Sequence, residues 1–442
     1  MNQSRRDTPS NVATPASAGV AEYLLASKRC DLLGLELLLG TGQLVAAISN
    51  LVHALQLERG ASNMYLGSGG QRCAEVRQTQ IDKARVAEQV FRASLAGVDI
   101  ESHCNAGASR LFNRIAGALH GLDELGQVRI DIDQLKPQPS SIIDGYGQLI
   151  QSLLAIVFET ADSASDPDIS RSLVAMFHLM QGKEFAGQER AVGSAGFAQG
   201  NFDQQFSRRL RHLIDNQERC FQIFFDFAES EALAQWQQTV SVHQVELERF
   251  RRIAFAAVAD GVADRDLSDA WFACTSKRIN AMKALEDTLE LSLTALCQCK
   301  IKAARSDLTC HKVQIDQLAK ARDTGAMAVF FSRDSVAGLN ESAPHTYDTG
   351  CTGTQLGRSL FELVQSQALK LQAMSEELQQ ARAALEERKC VEKAKGMLMR
   401  CRDLSEDEAY RFLRKVAMAQ NRRLADVAKD TLAMEDLFTA KS

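Results

Sequence analysis

A chain of 442 residues with a formal net charge of −5 is long enough for two or three domains with full cores. Six prolines set against abundant Ala, Leu, Gln, Glu and Arg point to an all-α protein. Eleven cysteines without framework spacing suit reduced thiols in a cytoplasm, and the sequence reads as having neither a charged-then-apolar leader nor a long uncharged apolar run that would span a membrane.

In chain order, residues 1–30, polar and with Pro9 and Pro15, are expected to form a disordered tail. Amphipathic segments then follow at about 42–66, 72–98, 107–126, 141–162, 169–198, 203–230, 232–259 and 266–305, which makes 31–325 a multi-helix domain built of four-helix bundles. Two bundles or one elongated pair fit this pattern equally well. Residues 326–357, Gly/Ser/Thr-rich from Asp334 to Gly357, read as a flexible linker. Leu360, Val364, Gln367, Leu371, Met374, Leu378, Ala381 and Leu385 recur at alternating spacings of four and three, so 358–384 is predicted as a coiled-coil-like helix. That stripe would pair two copies of the chain or pack on the helices that follow it.

Residues 385–442 are predicted as a three-helix module. Ser405 with Glu408 makes a capping box, and Ala409, Phe412, Leu413, Val416 and Ala417 form one apolar stripe behind it. Asn421 suits the left-handed end of that helix, and Leu424, Val427, Ala428 and Leu432 pattern a third. From Leu385 to Asp430 there are twelve basic and nine acidic residues, a local charge of +3 in an acidic chain. Lys and Arg gathered on one face would neutralise phosphates. Lys395, Arg400, Arg414, Lys415, Arg422 and Arg423 are the candidates for that face, and with Tyr410 and Phe412 as the local aromatics, base stacking is not written in.

The upstream domain places arginines on apolar stripes. Arg59 follows Leu44, Ile48, Leu51, Val52 and Leu55; Arg190 lies between Met180 and Phe197; Arg249 is flanked by Val242, Val245, Ile253 and Ala256; Arg278 is bracketed by Trp271, Met282, Leu285 and Leu289. An unpaired guanidinium inside a bundle costs several kcal/mol, so each needs an anionic partner. Glu58, Glu189, Glu246 and Glu286 could supply ordinary internal salt bridges, whereas four inward arginines together would make a small-anion pocket. Cys297, Cys299, Cys310 and His311 suggest zinc, but Cys297 and Cys299 lie two apart on a predicted helix and face different ways, so no metal site is assigned. Paired Glu-x-x-His motifs, a phosphate-cradling glycine loop and a nucleophile elbow are all missing, so no catalytic residues are assigned and an enzyme is not expected.

Two families share these residues. Arg388, Val391, Ala394-Lys395-Gly396, Leu398-Met399, the break at Asp403-Leu404-Ser405, Glu408-Ala409, Leu413-Arg414, Ala417-Met418, Asn421, Leu424 and Val427-Ala428 resemble the ANTAR domain, an RNA-binding output module of bacterial regulators. Gln56-Leu57-Glu58-Arg59-Gly60-Ala61-Ser62, and Lys183 to Ala191 with Gly193 and Phe197, resemble the two signatures of the nitrate- and nitrite-sensing (NIT) domain over about 280 residues. The resemblance implies nitrate or nitrite as effector, held by arginines from separate helices, with no other cofactor. It also implies leader-mRNA hairpins as partner and antitermination of transcription as output. Arg59 carries over by its Glu-Arg-Gly context and Arg190 by Gln-Glu-Arg-Ala. Arg249 is chosen over Arg251 and Arg252 because periodicity turns it inward, and Arg278 is held in reserve. A cytoplasmic homodimer without a membrane partner is expected. A DNA-binding regulator using the same three helices as a helix-turn-helix, with Arg411, Arg414 and Lys415 on bases, is the alternative.

Overall fold

The computed structural model describes residues 20–96, 108–200, 202–260, 266–320, 355–402, 404, 406–420 and 422–439. Among these, all regular structure is helical: α1 (Val20–Gly67), α2 (Ala74–Ala96), α3 (Ala108–Asp133), α4 (Pro139–Ser163), α5 (Pro167–Gln199), α6 (Gln204–Phe227), α7 (Ser230–Thr239), α8 (Gln244–Asp260), α9 (Leu267–Lys320), α10 (Gln355–Arg402), α11 (Glu406–Gln420) and α12 (Leu424–Thr439). The all-α reading holds. The segment expected as one helix over 232–259 is broken by a 3-10 turn at Ser241–His243, and α9 runs beyond its expected end to Lys320. α1 starts at Val20, inside the expected tail, and α10 starts at Gln355, inside the expected linker. The rest of the tail and linker, with Ser405 and Asn421 and the caps expected of them, lies outside the described residues.

The chain divides into two compact units, 35–299 with 374–442, and 1–34 with 300–373. The second of these includes an ion pair of Lys28 with Asp307 at 2.7 Å. The first holds the hydrophobic cores and the buried arginines, and α5 is its axis. Asp166 caps α5 by accepting from the backbone N–H groups of Asp168 and Ile169, Pro167 presets its first turn, and Gly200 closes it at φ 71°. Between these caps α5 is buried along nearly its whole length and packs against α4, α6 and α8. A helix buried on all sides must find partners for the charges it carries, and α5 carries Lys183, Glu184, Glu189 and Arg190.

One core joins Leu44, Ile48, Leu51 and Leu55 of α1 to Leu153 and Val157 of α4, Leu173 and Met176 of α5, and Met282 and Leu285 of α9. A second gathers Phe197, Phe202, Leu247, Phe250 and Trp271 where α5, α6, α8 and α9 meet, and a third closes the C-terminal module with Ala394, Leu398, Leu413, Val427 and Ala428. The expectation of no long uncharged apolar run is corrected here. Residues 37–57 carry no Asp, Glu, Lys or Arg, and α1 and α4 are both long and apolar enough to cross a membrane. Leu44, Ile48, Leu51 and Leu55 are fully buried, so that apolarity serves the bundle core. The heptad stripe of α10 is likewise split: Leu371 is exposed, Met374 and Leu378 are half-buried, and Leu385 joins the main core of the upstream helices. Leu360, Val364 and Gln367 lie outside the side chains described.

Candidate functional site

Along α1, Ser49, His53, Gln56 and Arg59 recur at helical spacing and form a polar line within an apolar face. Its last member meets α5. Arg59 Nη1 donates to Glu184 Oε1 at 2.6 Å and Nη2 to Oε2 at 3.2 Å. The same carboxylate accepts from Gln56 Nε2 at 2.9 Å and Gln188 Nε2 at 2.8 Å. Arg59 is 1 % exposed and Glu184 0 %, so this bidentate pair is wholly desolvated.

Arg190 stands beside this pair without such a partner. Its Nη1 donates to Ser276 Oγ at 3.0 Å, its Nη2 to the Gln56 backbone oxygen at 3.4 Å, and its guanidinium lies 4.9 Å from the centre of the Phe272 ring. Among the described residues no carboxylate comes within ion-pair reach of it. Burial, with the neighbouring Arg59, pushes its pKa down to about 10, so it stays charged at neutral pH. His53 is held neutral, its pKa down to about 2, by burial and by Lys183, Lys283 and Arg190. A glycine makes room for this guanidinium: a Cβ on Gly60 would stand 3.2 Å from Arg190 Nη2. On Gly193 it would meet the Trp271 ring at 2.3 Å, where the indole Nε1 donates to the Arg190 backbone oxygen at 3.0 Å.

The four arginines predicted from sequence do not converge. Arg59 and Arg190 are neighbours. Arg278 belongs to a second cluster, where its Nη1 donates to Gln217 Oε1 at 2.9 Å, its Nε is buried and unbonded, and burial brings its pKa to about 10. Arg249 is corrected: it is exposed and lines a surface groove with Gln244, Glu248 and Arg252. The helix rotates the other way from the periodicity assumed, with Val242 and Val245 exposed and Leu247, Phe250, Ala254 and Ala257 buried. Arg251 therefore turns inward, 4 % exposed, and grips Glu189 at 2.7 and 2.8 Å. The stripe at 247, 250, 254 and 257 was present in the sequence and would have found it.

The acids are also assigned differently by the structure. Glu58 pairs with Arg129 at 2.8 Å and accepts from the Tyr146 hydroxyl at 2.7 Å, and Glu286 pairs with Lys183 at 2.5 Å. Glu184, which sequence reasoning passed over, is the partner of Arg59. Buried Arg77, tied to Asp133 and to the Arg129 carbonyl, was missed too. On α9 Cys297 is buried and Cys299 exposed, as their spacing predicts.

In the C-terminal module Arg400, Lys415, Arg422 and Arg423 are exposed, with Arg422 paired to Asp430 at 2.5 Å and Arg423 to Glu387 at 3.6 Å. Lys395 departs from its predicted place on the basic face, being 7 % exposed and paired with Glu392 at 2.9 Å. Arg414 forms an ion pair with Asp215 of α6. Around it Tyr410 stacks edge-on to His212, and the Arg219 guanidinium lies 4.7 Å from the Tyr410 ring centre. Lys389 pairs with Asp162 at 2.7 Å, and the Arg388 guanidinium lies 5.0 Å from the centre of the Phe177 ring.

Comparison with known proteins decides the family. The family model described as nitrate and nitrite sensing matches residues 50–294, and the ANTAR domain matches 379–431. The chain belongs to the nitrate- and nitrite-sensing family. It joins this NIT region to an ANTAR domain, which is an RNA-binding module, so the helix-turn-helix alternative is set aside. A nitrate regulatory protein of Klebsiella oxytoca is 32% identical over 425 residues, covering 95% of this chain and 96% of that protein. The solved structure of the NasR transcription antiterminator aligns with a TM-score of 0.57 and 29% identity, over 95% of this chain and 99% of that one. Both matched families are of the sensing and RNA-binding kind.

Proposed function

We propose that this chain is a cytoplasmic nitrate- or nitrite-responsive antiterminator, in which an anion seated at Arg59 and Arg190 frees the ANTAR helices to hold a hairpin in leader mRNA. RNA held there keeps a terminator from forming, so the downstream nitrate- and nitrite-assimilation genes are transcribed. The observation that carries this reading is Arg190, a wholly buried guanidinium whose hydrogen-bond partners are a hydroxyl and a backbone carbonyl. Planar oxyanions offer in-plane oxygens that match guanidinium forks. Arg278, buried but gathered with Gln217 and Glu189, remains a secondary candidate.

Contacts with the sensor helices cover part of the proposed RNA face, which supports a masked state. Arg414, one of the RNA-facing candidates, is engaged by Asp215, and Lys389 and Arg388 of α10 are held by Asp162 and Phe177. Phe177 and Glu184 lie on one helix, α5, so a change at the arginine cluster has a rigid element through which to reach α10. An anion shifts the balance only if it binds the released state more tightly. We divide the chain into a sensor at 31–325, a linker at 326–357, a coiled-coil-like helix at 358–384 and the RNA-binding module at 385–442, and we propose a homodimer joined through that helix, where Leu369 and Leu371 are exposed.

The test is titration of nitrate and nitrite into purified full-length protein by calorimetry, with hairpin-RNA binding measured in parallel. Arg59→Ala and Arg190→Ala each abolish ligand binding and the nitrate-dependent gain in RNA affinity while the helical circular dichroism is kept. Wild-type nitrate affinity in both variants overturns the assignment.

A further inference from the structure

Glu184 is more than the counter-ion of Arg59. Each of its oxygens accepts two hydrogen bonds, Oε1 from Arg59 Nη1 and Gln188 Nε2, and Oε2 from Arg59 Nη2 and Gln56 Nε2. A carboxylate offers about four lone-pair positions, so this one is saturated. It has nothing left to give Arg190, whose guanidinium is 3 % exposed and bonded only to neutral oxygens in the contacts of its two Nη atoms. Two guanidiniums less one carboxylate leave the buried cluster with a single uncompensated positive charge.

We propose that Glu184 is the residue that sets the valence of the ligand: by cancelling one of two buried arginines it leaves a site that one monoanion neutralises and a dianion overloads. This rests on the assignment of Arg59 and Arg190 as the anion site and deepens it. A singly charged oxyanion brings the cluster to neutrality. Sulfate or another tetrahedral dianion would leave a net negative charge in a desolvated space, where an uncompensated charge is strongly disfavoured. Charge counting of this kind separates nitrate from sulfate although both present oxygens that guanidinium forks can bind. The carboxylate also resembles the ligand. It is planar, singly charged and two-oxygened, like nitrite, and it holds the Arg59 fork in the geometry that grips such a group.

Full-length protein carrying Glu184→Gln, alongside wild type and Arg190→Ala, is titrated with nitrate, nitrite, sulfate and chloride at constant ionic strength. Wild type takes nitrate and excludes sulfate. Glu184→Gln, with a second uncompensated guanidinium, gains sulfate binding, and its sulfate-to-nitrate affinity ratio rises at least tenfold. A second variant moves the charge count the other way: Ser276→Asp sets a carboxylate against Arg190, keeps both arginines, brings the cluster to neutrality without a ligand, and loses nitrate. Unchanged selectivity in Glu184→Gln, or retained nitrate binding in Ser276→Asp, overturns the valence filter even if Arg190→Ala has lost all anion binding. If Arg190→Ala binds nitrate like wild type, the site assignment itself has failed, and the inference falls with it.

Discussion

A Cβ placed on Gly187 would stand 2.8 Å from Arg59 Nη2, closer than side chains pack. Gly187 lies on α5 one turn before Ala191, so the helix that supplies Glu184 and Arg190 also leaves the gap that the Arg59 guanidinium fills. Small size at this position is a requirement of the cluster. It follows that Gly187→Ala displaces the end of a flexible side chain and leaves the fold intact. Nitrate affinity should fall about tenfold, or ~1.4 kcal/mol, with the thermal midpoint nearly unchanged. Calorimetry paired with a melting curve checks both halves, and an unaltered affinity would remove Gly187 from the account.

Gly193 is a different case. There the added Cβ meets the Trp271 indole at 2.3 Å, and the indole is locked by its hydrogen bond to the Arg190 carbonyl in a core with Phe197 and Phe250. A large rigid ring cannot move aside, so Gly193→Ala should cost about 1–3 kcal/mol of stability through overpacking. The denaturant midpoint reports this loss, and a midpoint equal to wild type would show that the ring can yield.

The docked arginine sets a third expectation. The Arg414–Asp215 pair has side chains 46% and 23% exposed, and partly exposed pairs contribute only ~0.2–1 kcal/mol. Asp215→Ala should therefore raise RNA affinity in the absence of nitrate up to about fivefold, with a smaller further gain when nitrate is added. Equal RNA affinity in the variant and wild type without nitrate would mean that this contact masks nothing.

Exposure divides the basic residues of the module. Arg423 and Lys415 face solvent, so replacing either by Ala should lower the dependence of log affinity on log salt by roughly 0.7–0.9. Lys395 is buried against its neighbours, and Lys395→Ala should lower stability by ~1 kcal/mol while leaving that slope alone. Binding curves at several salt concentrations separate the two behaviours; a reduced slope in Lys395→Ala would return it to the RNA face.

The pH dependence has a definite sign. Arg190 has its pKa lowered to about 10, so it holds its proton through the neutral range and loses it as pH rises through that value. Nitrate affinity should be flat from neutral pH upward and then fall as pH approaches 10. A loss of affinity near pH 7 would point to a different titrating group.

The sequence by itself determined the all-α class and the joining of a sensing region to an RNA-binding module, and it singled out Arg59 and Arg190 as candidates. Periodicity is a local property, and the family resemblance of the Glu-Arg-Gly and Gln-Glu-Arg-Ala contexts pointed to Arg59 and Arg190 without reference to their neighbours. For α8 it carried two competing stripes, one through Val242, Val245 and Ile253 and one through Leu247, Phe250, Ala254 and Ala257, and the fold buries the second. A short helix with apolar residues on two sides is turned by what it packs against, and here that is Phe197 and Trp271. Pairing was also a tertiary decision. Glu184 lies 125 positions from Arg59 and Asp215 lies 199 from Arg414, separations over which nothing in the chain specifies a partner. Only the folded bundle decided which arginine was neutralised and which was left charged, because burial removes the water that would otherwise have satisfied them all.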